Sequence, residues 1–260
     1  MSDRRFSQMN ATARSAEMSC SDAEWKVRCD LAAAYRLIAL FGWDDLVFTH
    51  ISARVPGPDH HFLINPYGWL FEEITASSLV KVDLDGQKVG PSDAMVNPAG
   101  FTIHSAVHEA REDAHCVLHL HTVDGVAVSC LEEGLLPLNQ TAMLLNGQLA
   151  YHDYEGVALN HDERPRLVAD LGSSNVMILR NHGTMSVGHS VAAAFSFMYF
   201  LERACSIQIA AQGGGKLRMP QDDVQAVVEA QSKSMSQAAD MLVWPALLRR
   251  LNRVSPGFDS

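Results

Sequence analysis

Cysteine is scarce in this sequence. The 260 residues include five, Cys20, Cys29, Cys116, Cys130 and Cys205, and no Cys-x-x-Cys spacing. An odd, scattered set in a chain this long argues against a disulfide scaffold and fits a reducing compartment. Long apolar runs are missing too. The longest, Ala192 to Leu201, is broken by Ser196 and followed by Glu202 and Arg203, too short to span a bilayer. The first 20 residues are polar, carry Arg4, Arg5 and Arg14, and lack the apolar stretch of a secretory signal. Positive charge is in deficit: 20 basic residues against 30 acidic ones leave a net -10. That field disfavours nucleic acid and anionic membranes as main partners. The expectation is a cytoplasmic protein acting on a small molecule.

What is present is enough apolar material for a full core, 47% of the chain, so one large domain is expected. Residues 1–20 read as a flexible tail, 21–240 as the domain and 241–260 as a C-terminal tail. Ser21 followed by Glu24 is a capping box, and apolar residues from Trp25 to Leu40 recur at helical spacing up to Gly42. Leu46–Val55, His61–Asn65 and Leu79–Leu84 read as strands, the last turning at Asp85-Gly86. A helix is expected from about Gly100 to Arg111, then a central strand at Cys116–His121 and a short helix at Val123–Leu131. Further strands fall at Leu149–Tyr151 and Val176–Leu179. Ser190 caps a long helix to about Gln212, and a last one covers Asp222–Ala239. Trp244, Leu247, Leu248 and Leu251 in the tail suit either packing or a partner. The order implies an α/β domain with a mainly antiparallel central sheet flanked by helices, three layers in all.

Histidine is the abundant oddity, at 12 residues. His119 and His121 are two apart, so on a strand they face the same side. His182 ends the apolar run VMIL and precedes Gly183, a setting where a strand fixes a side chain and backbone can come close. Three imidazoles with an open position are a catalytic zinc arrangement, although a His-x-His pair taken alone is more often chance than a ligand pair. His104 and His108 have the spacing of a zinc-protease helix but lack its glutamate. The remaining histidines read as surface, turn or core residues.

Five segments in order carry a wider likeness: GWDDLVFTHISARV, INPYGWLFEEITASSLVKVDLDG, NPAGFTIHSAVHEAREDAHCVLHLHT, LAYHDYEG and VMILRNHGTMSVG. Over about residues 25–212 the chain resembles the class II aldolase/adducin family, with segments closest to the adducin head domain. The resemblance implies an α/β fold and a homo-oligomer, a tetramer in the family's usual form. It also implies a divalent metal, zinc first with iron(II) or manganese as alternatives, on His119, His121 and His182. The chain departs from the aldolase pattern in three places. The acid/base glutamate falls on Gly100, the phosphate-binding Ser-Ser pair on Pro98 and Ala99, and the Gly-Asn loop near Thr49-His50.

The expected activity is therefore a metal-dependent lyase. It would perform retro-aldol cleavage or decarboxylation on a small hydroxy- or oxo-acid, or a related carbonyl compound, through a stabilised enolate. A non-haem iron oxygenase on the same trio and a non-catalytic scaffold are the alternatives. His104, one turn beyond Gly100, and Tyr151 and Tyr154 are candidate proton carriers, each with an ordinary packing role as its rival. Glu72 or Glu73 can replace the missing carboxylate or stand in a solvated loop. Arg180 can balance a substrate carboxylate or a structural acid.

Overall fold

In a computed structural model of the chain, Ser21 caps the first helix as its sequence predicts. Its hydroxyl accepts from the Glu24 amide at 3.1 Å, and α1 runs Asp22–Phe41. The structure describes residues 20–157, 161–232 and 238–260. Except for its last residue, the expected N-terminal tail lies outside them.

Seven strands follow: β1 (His50–Arg54), β2 (Phe62–Ile64), β3 (Val80–Val82), β4 (Cys116–Leu120), β5 (Leu149–His152), β6 (Val176–Leu179) and β7 (Gly183–Gly188). They form one sheet in the order β3-β2-β1-β4-β7-β6-β5. Each neighbouring pair is antiparallel except β5 and β6, which run parallel. The mainly antiparallel sheet expected from the sequence is thus present.

Two local expectations fail. The strand expected from Leu46 starts only at His50, because Leu46 and Thr49 have positive φ, 52° and 62°, and Asp45 bridges back to Phe48. A ladder needs extended backbone, which that turn denies it. Strand β7 is not anticipated at all. Every residue of it is buried, so it carries no polar alternation to read.

Period-two alternation sends side chains to two helical layers. From β4, Cys116, Leu118 and Leu120 join the core under α1, α6 (Val191–Gly213) and α8 (Trp244–Val254). Val117 faces the other way, into a smaller core with Ile103 and Val107 of α2 (Pro98–Ala110) and Leu167 of α5 (Arg164–Leu171). Two short helices, α3 (Val123–Ser129) and α4 (Gln140–Met143), fill the connections. The long helix starts at Ser190 as expected, its hydroxyl accepting from the Ala193 amide. Helix α7 spans Asp222–Ser232, and residues 233–237 of the expected last helix lie outside the described ones.

The segment from 241 onward packs on the domain body. Trp244, Leu251 and Phe258 are buried in the α1/α6 core, and the Trp244 indole donates to Asp30 at 2.9 Å. Among the described residues, no helix is long and apolar enough to cross a membrane.

Candidate metal centre

Strand β4 carries His119 on the α2 side of the sheet, and His121 stands just past the strand end. Strand β7 pairs with β4, Thr184 opposite Leu120, so the tight β6–β7 connection delivers His182 to the same edge. Gly183 makes the approach possible. A Cβ there would lie 2.5 Å from the Leu120 carbonyl oxygen, closer than any side chain tolerates. The three residues offer ligand nitrogens that all lie within 4.8 Å of one another.

Their hydrogen bonds settle the tautomers. His119 Nδ1 lies 3.0 Å from the Thr184 carbonyl, which can only accept, so Nδ1 bears the proton. His121 Nδ1 lies 3.0 Å from the Asp45 carboxylate, with the same consequence. With both rings neutral, the two Nε2 atoms are lone pairs, and they face each other 2.9 Å apart. Two lone pairs at that distance repel unless a positive charge sits against them. The donor set fits a divalent cation: imidazoles in their ligating form, each fixed by a bond from its other nitrogen. Burial, then the neighbouring imidazoles, hold His119 well below its ordinary value and push His182 down to about 4.

A cavity of about 400 Å³ opens onto the trio, walled further by Phe48, Thr49, His50, Gly100, Ile103 and Tyr154. Of the proton carriers expected from the sequence, Tyr154 lines it, its ring 6.0 Å from His182. Tyr151 does not reach it. Alternation on β5 turns its ring to the opposite sheet face, where its hydroxyl bonds the Leu135 amide at 3.0 Å and Arg180 covers the ring. Arg180 also donates to the Leu131 carbonyl at 2.7 Å and takes no part in the cavity. Glu73 caps its own turn at the Leu70 amide.

His104 is buried behind His50, the two ring centroids 4.2 Å apart. A chain of bonds defines its state. His108 Nδ1 donates to the Ala114 carbonyl at 2.8 Å, so His108 Nε2 accepts from Ser52 Oγ at 2.7 Å. Ser52 Oγ then accepts from His104 Nδ1 at 2.7 Å, leaving His104 Nε2 a buried lone pair. His50, read from sequence as an ordinary residue, is the one that faces the cavity. Burial, then nearby His121, push it down to about 3, against a weak opposing pull from the Gly100 and Thr49 backbones. The detectable signal was register: His50 pairs with His119 across β1 and β4, but that pairing is long-range. Asp45 was likewise missed, since a lone acid in a turn has no pattern.

A second cavity, about 450 Å³, lies between Leu144–Gln148 and helices α6 and α7. Among the described residues the trio above is the only cluster that could hold a metal ion, which makes the histidine cavity the candidate site.

A family model described as the class II aldolase and adducin N-terminal domain matches residues 29–209. The chain belongs to this family. A Caulobacter vibrioides protein named as an aldolase class 2 protein is 57% identical over 245 residues, covering 92% of this chain and 93% of that one. Rat alpha-adducin is 50% identical over 186 residues, 70% of this chain but 25% of the adducin. Among solved structures, an aldolase II superfamily protein from Pseudomonas syringae superposes with a TM-score of 0.88 at 53% identity, covering 93% of this chain and 98% of that one. The L-fuculose 1-phosphate aldolase from Glaciozyma antarctica gives 0.77 at 26% identity, covering 90% and 92%. Within this class II aldolase/adducin frame, His119, His121 and His182 form a cluster that could hold a metal ion.

Proposed function

We propose that the chain is a metal-dependent lyase, with His119, His121 and His182 holding a divalent cation, zinc first. It would act by retro-aldol cleavage or decarboxylation on a small hydroxy- or oxo-acid or related carbonyl compound. The observation that carries this reading is the pair of Nε2 lone pairs 2.9 Å apart. A cation bound there supplies Lewis-acid stabilisation of negative charge on a carbonyl or enediolate oxygen. The chain's own residues do the rest. Asp45 and the Thr184 carbonyl orient two of the imidazoles. Phe48 and Ile103 keep the cavity wall apolar, which strengthens electrostatic interactions inside it. Tyr154 would be the proton carrier, a role supported by its place in the cavity lining. His104 stands one layer back, and the placement of Tyr151 lends no support to a catalytic role.

The family resemblance supports a homo-oligomer, and the exposed apolar residues Phe48 and Val157 at the cavity are compatible with one. The alternative reading, an iron(II) oxygenase, is separated by oxygen uptake in the iron-loaded protein.

Metal analysis tests the proposal. Protein purified without chelator, or loaded with zinc, is expected to hold about one ion per chain. His119→Ala should lose it with an unchanged circular dichroism spectrum, together with turnover on hydroxy-oxo acids. Full metal content in that variant, or no metal in the parent, would sink the reading.

A further inference from the structure

The inner wall of the histidine cavity holds polar atoms that the protein leaves unpaired. They are Thr49 Oγ1 and both ring nitrogens of His50, on residues only 4% exposed. A buried polar group without a partner costs about 1–3 kcal/mol. The same sheet face shows that partners can be supplied: two residues on, Ser52 Oγ bonds two imidazoles at 2.7 Å each.

Backbone strain lies at the same place. Thr49 has φ 62°, a left-handed conformation that a β-branched residue enters at a cost of about 1–3 kcal/mol. Space is reserved there as well. A Cβ on Gly100 would come within 2.4 Å of His50 Cε1, so the imidazole occupies the room that any side chain at 100 would need.

The chemistry of the wall is readable. A buried imidazole without a carboxylate partner is uncharged, with one N–H and one lone pair. The N–H is drawn toward the Gly100 and Thr49 backbones without completing a hydrogen bond. The lone pair has no partner within the protein either. The wall therefore presents one unclaimed acceptor beside a hydroxyl that both donates and accepts. A hydroxyl group complements that pair. A phosphate oxygen, an acceptor only, meets a lone pair instead. Among the described residues lining the cavity there is no lysine or arginine to offset a dianion.

We propose that Thr49 and His50 form a specificity subsite for an uncharged, hydroxyl-bearing end of the substrate, so that the substrate is an unphosphorylated hydroxy-carbonyl compound. This rests on the lyase reading for the reacting end and deepens it at the other.

Dihydroxyacetone and dihydroxyacetone phosphate are the probes, followed by saturation-transfer NMR on the full chain, once zinc-loaded and once stripped with chelator. Dihydroxyacetone is expected to bind in both states, and the phosphate at least tenfold more weakly. His50→Ala should weaken dihydroxyacetone about tenfold and narrow the gap between the probes. Gly100→Ala, which displaces the ring without removing it, should do the same with zinc content unchanged. Equal or tighter binding of the phosphate overturns the subsite. So does parental behaviour of both variants, or silence of both probes in both states. Absence of zinc in the parent bears only on the lyase reading, because the stripped arm does not depend on metal.

Discussion

The two faces of the central sheet are equally buried and differently built. On the α1/α6 face, Ile51, Leu118, Leu120 and Ile178 are 0% exposed and form one apolar cluster. The polar strand residues that intrude there are bonded: Ser186 Oγ donates to the Ala194 carbonyl at 2.9 Å, and Thr184 Oγ1 lies 3.4 Å from Glu202. On the α2 face the strands β1 and β4 place His50, Ser52 and His119, also nearly inaccessible. Some of these are satisfied and some are not. Burial therefore does not separate core from site in this molecule. What separates them is whether each buried donor and acceptor has found a partner.

Adjacent residues of β4 give the sharpest way to break the comparison. Leu118 and His119 lie one apart and face opposite layers. Leu118→Ala should cost about 2–5 kcal/mol of stability, since it opens a cavity in a packed apolar cluster. It should leave zinc content untouched, the reverse of His119→Ala. Denaturant midpoints and metal analysis on the two variants measure this directly. Loss of metal in Leu118→Ala would show that the faces are coupled and the division false.

Helix α6 carries the exception on the apolar side. Glu202 is 2% exposed, near the Thr184 hydroxyl at 3.4 Å. Burial pushes its carboxyl from 4.5 up to about 7, with the Thr122 and Thr184 hydroxyls opposing and Asp124 adding. An unfolded chain releases this proton at lower pH than the folded one does. Stability contributed by the protonated carboxyl is therefore complete below pH 4.5 and is lost as pH rises to about 7. The loss is at most about 3 kcal/mol. Glu202→Gln should flatten the stability profile across that window and leave the variant more stable than the parent above it. Parallel profiles for the two proteins would place the ionised carboxylate in a favourable site and contradict the burial argument.

How much of this was legible in the sequence follows the same division. Local signals read true: the Ser21 and Ser190 caps, the turn after β3, and the runs that became β4 and β6. His119, His121 and His182 were visible because the first two stand two apart at one strand end and the third follows another. What escaped depends on pairing between distant segments. The register of β1 against β4 brings His50 beside His119, and no local pattern announces it. Tyr151 sits within a few residues of Tyr154, yet alternation and chain direction put their rings in different layers. Strand β7 was invisible because burial on both faces erases periodicity. Gly100 read as a missing carboxylate; in three dimensions it is the vacated room that His50 fills.

The smallest expected effect concerns Thr49. If its strain is held for the subsite and not for the fold, removing the side chain should not hurt stability. Thr49→Gly relieves a left-handed β-branched conformation, worth about 1–3 kcal/mol. It also frees the unfolded chain, which offsets roughly 1 kcal/mol of that gain. The net change should be a stabilisation of about 0–2 kcal/mol, read as an unchanged or slightly raised melting temperature, with weaker dihydroxyacetone binding. A loss of stability would instead make Thr49 a structural residue, and its unpaired hydroxyl would then belong with the core and not with the site.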